Sequence, residues 1–419
     1  MTRERGWRNC AGAARPELEF ILYCGRALID PSAKENVRRL IREGLNWPDA
    51  LAVAERHRLS PVVYEAVFGA AQDLISPEEL DRLRQAAAPS VTAGKALLWE
   101  LIRLHRLLEG AQIPVIPYKG PLLARVAYGS FLLREYLDLD FAVEQKNIPR
   151  MLAVLESAGY CPQFDRREAH AGEDGIAPGQ YSFQSHPEKI LAEFHTERTL
   201  RYFPTPIDFQ DLNSRLMTVE IGEQRLRTFC VEDTLIMLCV HGGKHFWERL
   251  GWVLDIAKLT MAQPVDWALL SRIAAKMEST RVLHLGLYLA HDLFGAALPR
   301  NMLEEIRRDT VVSELAEKVY EQYSGISATN PGVMPRAIFR LRSRDKFWPG
   351  LRHLLRLGMS PTEHDLQTVR LPRFLAPLYV LVRPWRLITQ YGWGWRRRRK
   401  SMPSQNETSH KGSGNASKV

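Results

Sequence analysis

Two aspartates, Asp138 and Asp140, stand two residues apart in the segment YLDLDFAV, residues 136–143. Leu137, Leu139, Phe141 and Val143 alternate with them, which predicts a strand with the apolar residues on one face and both carboxylates on the other. On a strand the Cβ atoms of such a pair lie roughly 7 Å apart. Unpaired, the two carboxylates repel each other. A shared divalent cation removes that conflict, and hard cations such as Mg²⁺ prefer carboxylate oxygens. A D-x-D taken alone also fits solvated carboxylates at a strand end.

A second group precedes the pair. Val115 to Tyr118 reads as a short strand and is followed by Lys119-Gly120-Pro121. Glycine permits an unusual turn and the close approach of a ligand. Proline suits the first position of a helix, where its missing N–H costs nothing. A helix over Leu122 to Tyr128 therefore starts with free N–H groups beside Lys119 and Gly120, a natural phosphate site. Arg134 can add a phosphate contact or serve as a surface ion-pair partner. Further along, Ile190 to His195 reads as another strand, with Leu191, Glu193 and His195 on one face and Ala192 and Phe194 on the other. His195 reads as a packing residue of that face.

His241 and His245 lie four apart, the spacing of zinc ligands on a helix. No Glu follows the first histidine, and Gly242-Gly243 weakens the helix. Packing at a helix end, or contact of Lys244 or His245 with a nucleotide phosphate, fits this segment better than zinc.

The order strand, K-G turn, helix, D-x-D strand resembles the nucleotidyltransferase fold of the DNA polymerase β superfamily. Within it, the chain resembles the bacterial family called uncharacterised nucleotidyltransferases. The likeness rests on Lys119, Gly120, Leu123, Ala124, Tyr128, Arg134, Asp138 and Asp140, then on His241, Lys244, His245, Trp247, Trp252 and Asp255. It extends from about residue 17 to 390 and includes residues 360–365 and 378–391. The family tends to show Asp-apolar-His on a later strand, and this chain has Glu193-Phe194-His195, one methylene longer at the acid.

The resemblance implies an α+β fold: a polymerase β-like core, a small mixed sheet with helices, flanked by N- and C-terminal helical regions. It implies transfer of a nucleoside monophosphate from a nucleoside triphosphate to an acceptor hydroxyl or phosphate. Asp138, Asp140 and Glu193 would hold Mg²⁺ or Mn²⁺ and carry the catalysis. Lys119, Gly120, Arg134, Lys244 and His245 would bind nucleotide phosphate. A non-catalytic nucleotide-binding protein, or a scaffold at a membrane-surface assembly, is the alternative.

The elements that position these residues divide the chain into four regions. Residues 1–110 read as a helical scaffold, with Asn46-Trp47-Pro48-Asp49 and Ser76-Pro77-Glu78-Glu79 as helix starts. Trp47 and His57 belong to it as core or surface residues. A long helix is predicted from about Ser90 to Leu108, from its apolar spacing. Residues 111–230 form the transferase core. There Asn147 is predicted to cap a helix that Gly159 ends, residues 165–180 form a loop, and residues 217–229 form a hairpin. Residues 231–390 return to helices, and 391–419 form a basic tail predicted to be disordered.

The 419 residues carry a net charge of +9, of which +6 lies in residues 391–419, where seven basic residues oppose Glu407 alone. The body is therefore only mildly basic, which argues against a broad nucleic-acid surface. A small-molecule acceptor is favoured over RNA or protein. Five scattered cysteines with no C-x-x-C, and no secretory signal pattern, fit a cytoplasmic protein. Apolar residues 374–382, the aromatics Trp385, Tyr391, Trp393 and Trp395, and Arg396 to Lys400 suit a peripheral contact at the inner face of the membrane. They equally suit packing on the helical region with a solvated tail.

Overall fold

The computed structural model describes residues 15–170, 179–196, 209–324 and 332–346. The expected membrane contact and basic tail, the family-like segments beyond residue 346, and much of the expected loop at 165–180 lie outside them. The described residues are α+β, mostly helical with a small mixed sheet. Among them no helix is long and apolar enough to cross a membrane.

Helices α1 (Pro16–Ala27), α2 (Lys34–Arg42), α3 (Trp47–Arg56) and α4 (Ser60–Ala71) open the chain. Asn46 caps α3 by accepting the Asp49 N–H. Helix α5 (Pro77–Gly110) starts at a capping box, in which Ser76 and Glu79 satisfy each other's backbone N–H groups. It runs on through Pro89, where the sequence suggests two helices. The proline forfeits one hydrogen bond, and packing on both sides of it holds the helix together. Leu83 lies in one apolar core, and Leu97, Leu101, Leu104 and Leu108 lie in a second.

The second core is built on the sheet. Its strands are β1 (Val115–Tyr118), β2 (Asp138–Val143), β3 (Tyr160–Pro162), β4 (Gln180–Ser185) and β5 (Leu191–His195), in the order β1-β2-β5-β4-β3. Only β2 and β5 run parallel; the other pairs are antiparallel. Alternation sends Leu139, Phe141, Ala192 and Phe194 into the core, with Phe141 stacked on Phe194 at 4.9 Å. Asp138, Asp140, Glu193 and His195 take the opposite face. Helix α6 (Gly120–Tyr128) joins β1 to β2, and α7 (Ile148–Ser157) follows β2.

Asn147 does not cap α7. A 3₁₀ turn, Gln145–Asn147, already leads into the helix, Asn147 has helical backbone angles, and its Nδ2 is buried with no partner. Gly159 follows the helix at φ 88°, as its position suggests.

After α8 (Phe209–Asn213), the strands β6 (Met217–Ile221) and β7 (Gln224–Thr228) pair as the predicted hairpin. Then come α9 (Val231–Lys244), α10 (Leu250–Ala262), α11 (Trp267–Lys276), α12 (Thr280–Phe294), α13 (Arg300–Arg308), α14 (Thr310–Ser324) and α15 (Val333–Arg342). The core that holds Leu83 joins the two helical stretches: Phe20 and Leu22 of α1 lie in one cluster with Leu254 of α10 and Leu287 of α12. The glycines of α9 serve this packing. A Cβ on Gly242 would come within 2.4 Å of the Trp247 ring, and one on Gly243 within 2.6 Å of Val282. The helix accepts a low propensity there so that fully buried Trp247 can fold back beneath its end.

Candidate active site

The residues with chemical promise converge on one cavity of about 380 Å³. Lys119, Gly120, Arg134, Asp138, Asp140, Glu193, Lys244 and His245 all line it.

Strand pairing assembles its floor. Tyr118 is opposite Asp140 across β1 and β2, and Asp140 is opposite Glu193 across β2 and β5. His195 is two residues beyond Glu193 on the same face, and its Nε2 lies 2.9 Å from Asp140 Oδ1 and 3.7 Å from Glu193 Oε2. One ligand-capable atom from each of Asp140, Glu193 and His195 lies within 4.8 Å of the others. Asp138 is one pleat away, opposite Leu191. Residues 55 apart in sequence thus meet because β5 inserts beside β2. The i, i+2 spacing of Glu193 and His195 was the available signal for His195, whose contact with Asp140 goes beyond packing.

Lys119 leaves β1 in a backbone state that few non-glycine residues adopt, φ 55° and ψ −149°, followed by Gly120 at φ 45°. Such a conformation costs on the order of 1–3 kcal/mol and tends to occur where function holds it. It turns the chain sharply into α6 and leaves the Lys119 ammonium 3.5 Å from Asp140 Oδ1.

Electrostatics divide the carboxylates. Burial raises Asp140, but Lys119 and His195 outweigh it and hold the group below the usual carboxylate range. Burial first, and Asp140 second, push Asp138 up. Burial, then Asp140 and Asp138, push Glu193 up to about 7. By residue count the floor sets three carboxylates, Asp138, Asp140 and Glu193, against the one ammonium of Lys119. A bound cation fits that excess, and the donors, three carboxylates and an imidazole, are metal-ligating groups.

The opposite wall comes from α9, α10 and the turn between them. Burial, and then Lys119, lower Lys244 to about 8. Burial, and then Lys244, lower His245 to about 3, and burial drives His241 well below its ordinary value. Both imidazoles are neutral near pH 7. They pack with Trp252, the ring centroids of His241 and His245 being 4.7 Å apart and those of His241 and Trp252 4.9 Å. Among the described residues no third ligand is grouped with the two histidines.

Arg134 is buried, and its Nε donates to both oxygens of Asp255 at 2.9 and 3.0 Å. Tyr128 donates to the same carboxylate at 2.8 Å. The ion pair expected at the surface is thus an interior one. Arg249, on the same wall with its guanidinium 5.4 Å from the centre of the Trp252 ring, carried no signal in the sequence. It is placed by the turn between two helices.

Every residue of this cavity lies within residues 43–295, the span over which the chain matches the family described as uncharacterised nucleotidyltransferase. The chain belongs to that family. Comparison with curated proteins and with solved structures gives no match.

Proposed function

We propose that the chain moves a nucleoside monophosphate from a nucleoside triphosphate onto an acceptor hydroxyl or phosphate, on a polymerase β-like core spanning residues 111–230. The observation that carries this reading is the register that sets Glu193 beside Asp140, with Lys119 on the other side of Asp140. An acidic floor facing a basic wall suits a cation and a polyphosphate together.

Asp138, Asp140 and Glu193 are the carboxylates that would hold divalent metal, with Mg²⁺ or Mn²⁺ as the expected ion. When bound, the metal supplies charge neutralisation for the attacking and leaving oxygens. Lys119, the Gly120 backbone and Lys244 bind the triphosphate, and neutral His245 adds a hydrogen bond. Arg134 contributes through its Nη groups, since its Nε is committed to Asp255. The acceptor oxygen forms a bond to the α-phosphorus, the bond from that phosphorus to the bridging oxygen breaks, and pyrophosphate leaves. Glu193 serves either as a ligand of the second ion or as the base that takes the proton of an acceptor hydroxyl.

The test is incubation with each α-labelled nucleoside triphosphate, Mg²⁺ or Mn²⁺, and a cell extract, read as label on an acceptor together with pyrophosphate release. Transfer that vanishes in the Asp138→Asn, Asp140→Asn double variant supports the reading. Triphosphate binding without transfer in any extract would favour a non-catalytic nucleotide-binding protein.

A further inference from the structure

One buried group on the floor has no task in that scheme. His195 is 5% exposed and stands on the rigid sheet between two carboxylates. Its Nε2 is the atom nearest both of them, at 2.9 Å from Asp140 and 3.7 Å from Glu193. Two ligands at right angles on an octahedral ion with bonds of about 2.1 Å are about 3.0 Å apart. The spacing from His195 to Asp140 is therefore a coordination spacing as well as a hydrogen-bond spacing. The compact ligand group consists of Asp140, Glu193 and His195, and Asp138 is outside it.

We propose that Asp140, Glu193 and His195 together hold a cation, and that the imidazole nitrogen makes this site take a first-row transition dication ahead of Mg²⁺. The proposal rests on the metal-assisted reading above, changes its ligand set and narrows its ion. Mg²⁺ demands oxygen donors and sheds water reluctantly, whereas mixed nitrogen and oxygen sets bind first-row transition ions more tightly. Pairing of β2 and β5 fixes the backbone that carries all three side chains, and the ion replaces the hydrogen bond from Nε2 to Asp140, leaving the ring proton on Nδ1.

The experiment uses the full chain stripped with a chelator and titrated with Mn²⁺, without nucleotide, by electron paramagnetic resonance. Mg²⁺ serves as competitor, and pulsed measurements detect nitrogen coupled to the bound Mn²⁺. The expected result is nitrogen coupling in the wild-type protein that is lost in His195→Asn. Mn²⁺ affinity should fall about tenfold or more in the variant while Mg²⁺ affinity moves by less than about threefold. His195→Gln is the second variant should the first fail to fold. Mn²⁺ bound without nitrogen coupling, or bound equally well by a folded variant, overturns the proposal. His195 would then be only a hydrogen-bond partner of Asp140, and the transferase reading would stand. Failure of the wild-type protein to bind either ion, with or without a triphosphate, overturns both.

Discussion

Asp140 and Asp255 are both buried in the wall of one cavity, yet their surroundings differ in kind. Asp255 is closed on itself: Arg134 Nε reaches both of its oxygens, Tyr128 donates to one, and its side chain is 3% exposed. Asp140 has cationic and hydrogen-bonding partners in Lys119 and His195, but Asp138 and Glu193 crowd the same face. A buried charge that its neighbours satisfy holds structure in place. A buried cluster with excess charge of one sign stays destabilised until something binds. The difference is one of local charge balance, since both aspartates are buried.

The largest effect should come from breaking the closed pair. Asp255→Ala leaves the Arg134 guanidinium buried without a counter-charge, and the expected loss is about 3–5 kcal/mol in urea unfolding. A loss well under this would mean that the pair is held by its surroundings and does not itself hold them.

Protons offer a second probe, because His57 is a buried group with no charge to balance. It accepts the Leu250 N–H at Nδ1, and burial lowers it to about 3. The unfolded chain takes up a proton near pH 6.5 that the folded chain refuses, so stability is full above that value and falls as pH drops toward 3. The slope should be about 1.4 kcal/mol per pH unit below 6.5 from this residue. Thermal melts from pH 7 to 5 should show it on top of the slopes from buried His241 and His245, and His57→Gln should reduce the total by about its own share. An equal slope in the variant would move the effect to other histidines.

Lys119 separates backbone from side chain within the open cluster. Lys119→Gly relieves the positive φ and Lys119→Ala does not, so the glycine variant should be the more stable by about 1 kcal/mol. Both should lose triphosphate binding to a similar extent. Retained binding in either would remove Lys119 from the phosphate site.

The smallest stability change belongs to the carboxylates themselves. Asp138→Asn removes a charge that burial disfavours, and Asp140→Asn removes one that Lys119 and His195 favour. The two oppose, and the double variant should keep its stability within about 1 kcal/mol. Metal-dependent triphosphate binding should nevertheless disappear. A double variant that unfolds would place Asp140 with Asp255 as a structural charge.

Much of this was legible in the chain because it is local. Alternation over residues 136–143 places both aspartates on one face of a strand. Ser76 with Glu79, and Asn46 with Asp49, mark helix starts through bonds that span three residues. The K-G-P turn into α6 follows from the backbone preferences of its own residues, and the family resemblance supplied Glu193, Lys244 and His245 as companions.

What the tertiary structure alone decided depends on partners distant in sequence. The insertion of β5 beside β2 turned His195 from a packing residue into a neighbour of Asp140. Packing against two cores carried α5 through Pro89, and the 3₁₀ turn at Gln145–Asn147 displaced the cap expected of Asn147. Arg134 met Asp255 across 121 residues and became an interior ion pair. Periodicity and turn chemistry act within a few residues, so the sequence by itself determined which elements form and which faces carry charge. Which faces meet, and whether a charge is balanced there, depends on burial and pairing between elements, and those exist only in the assembled fold.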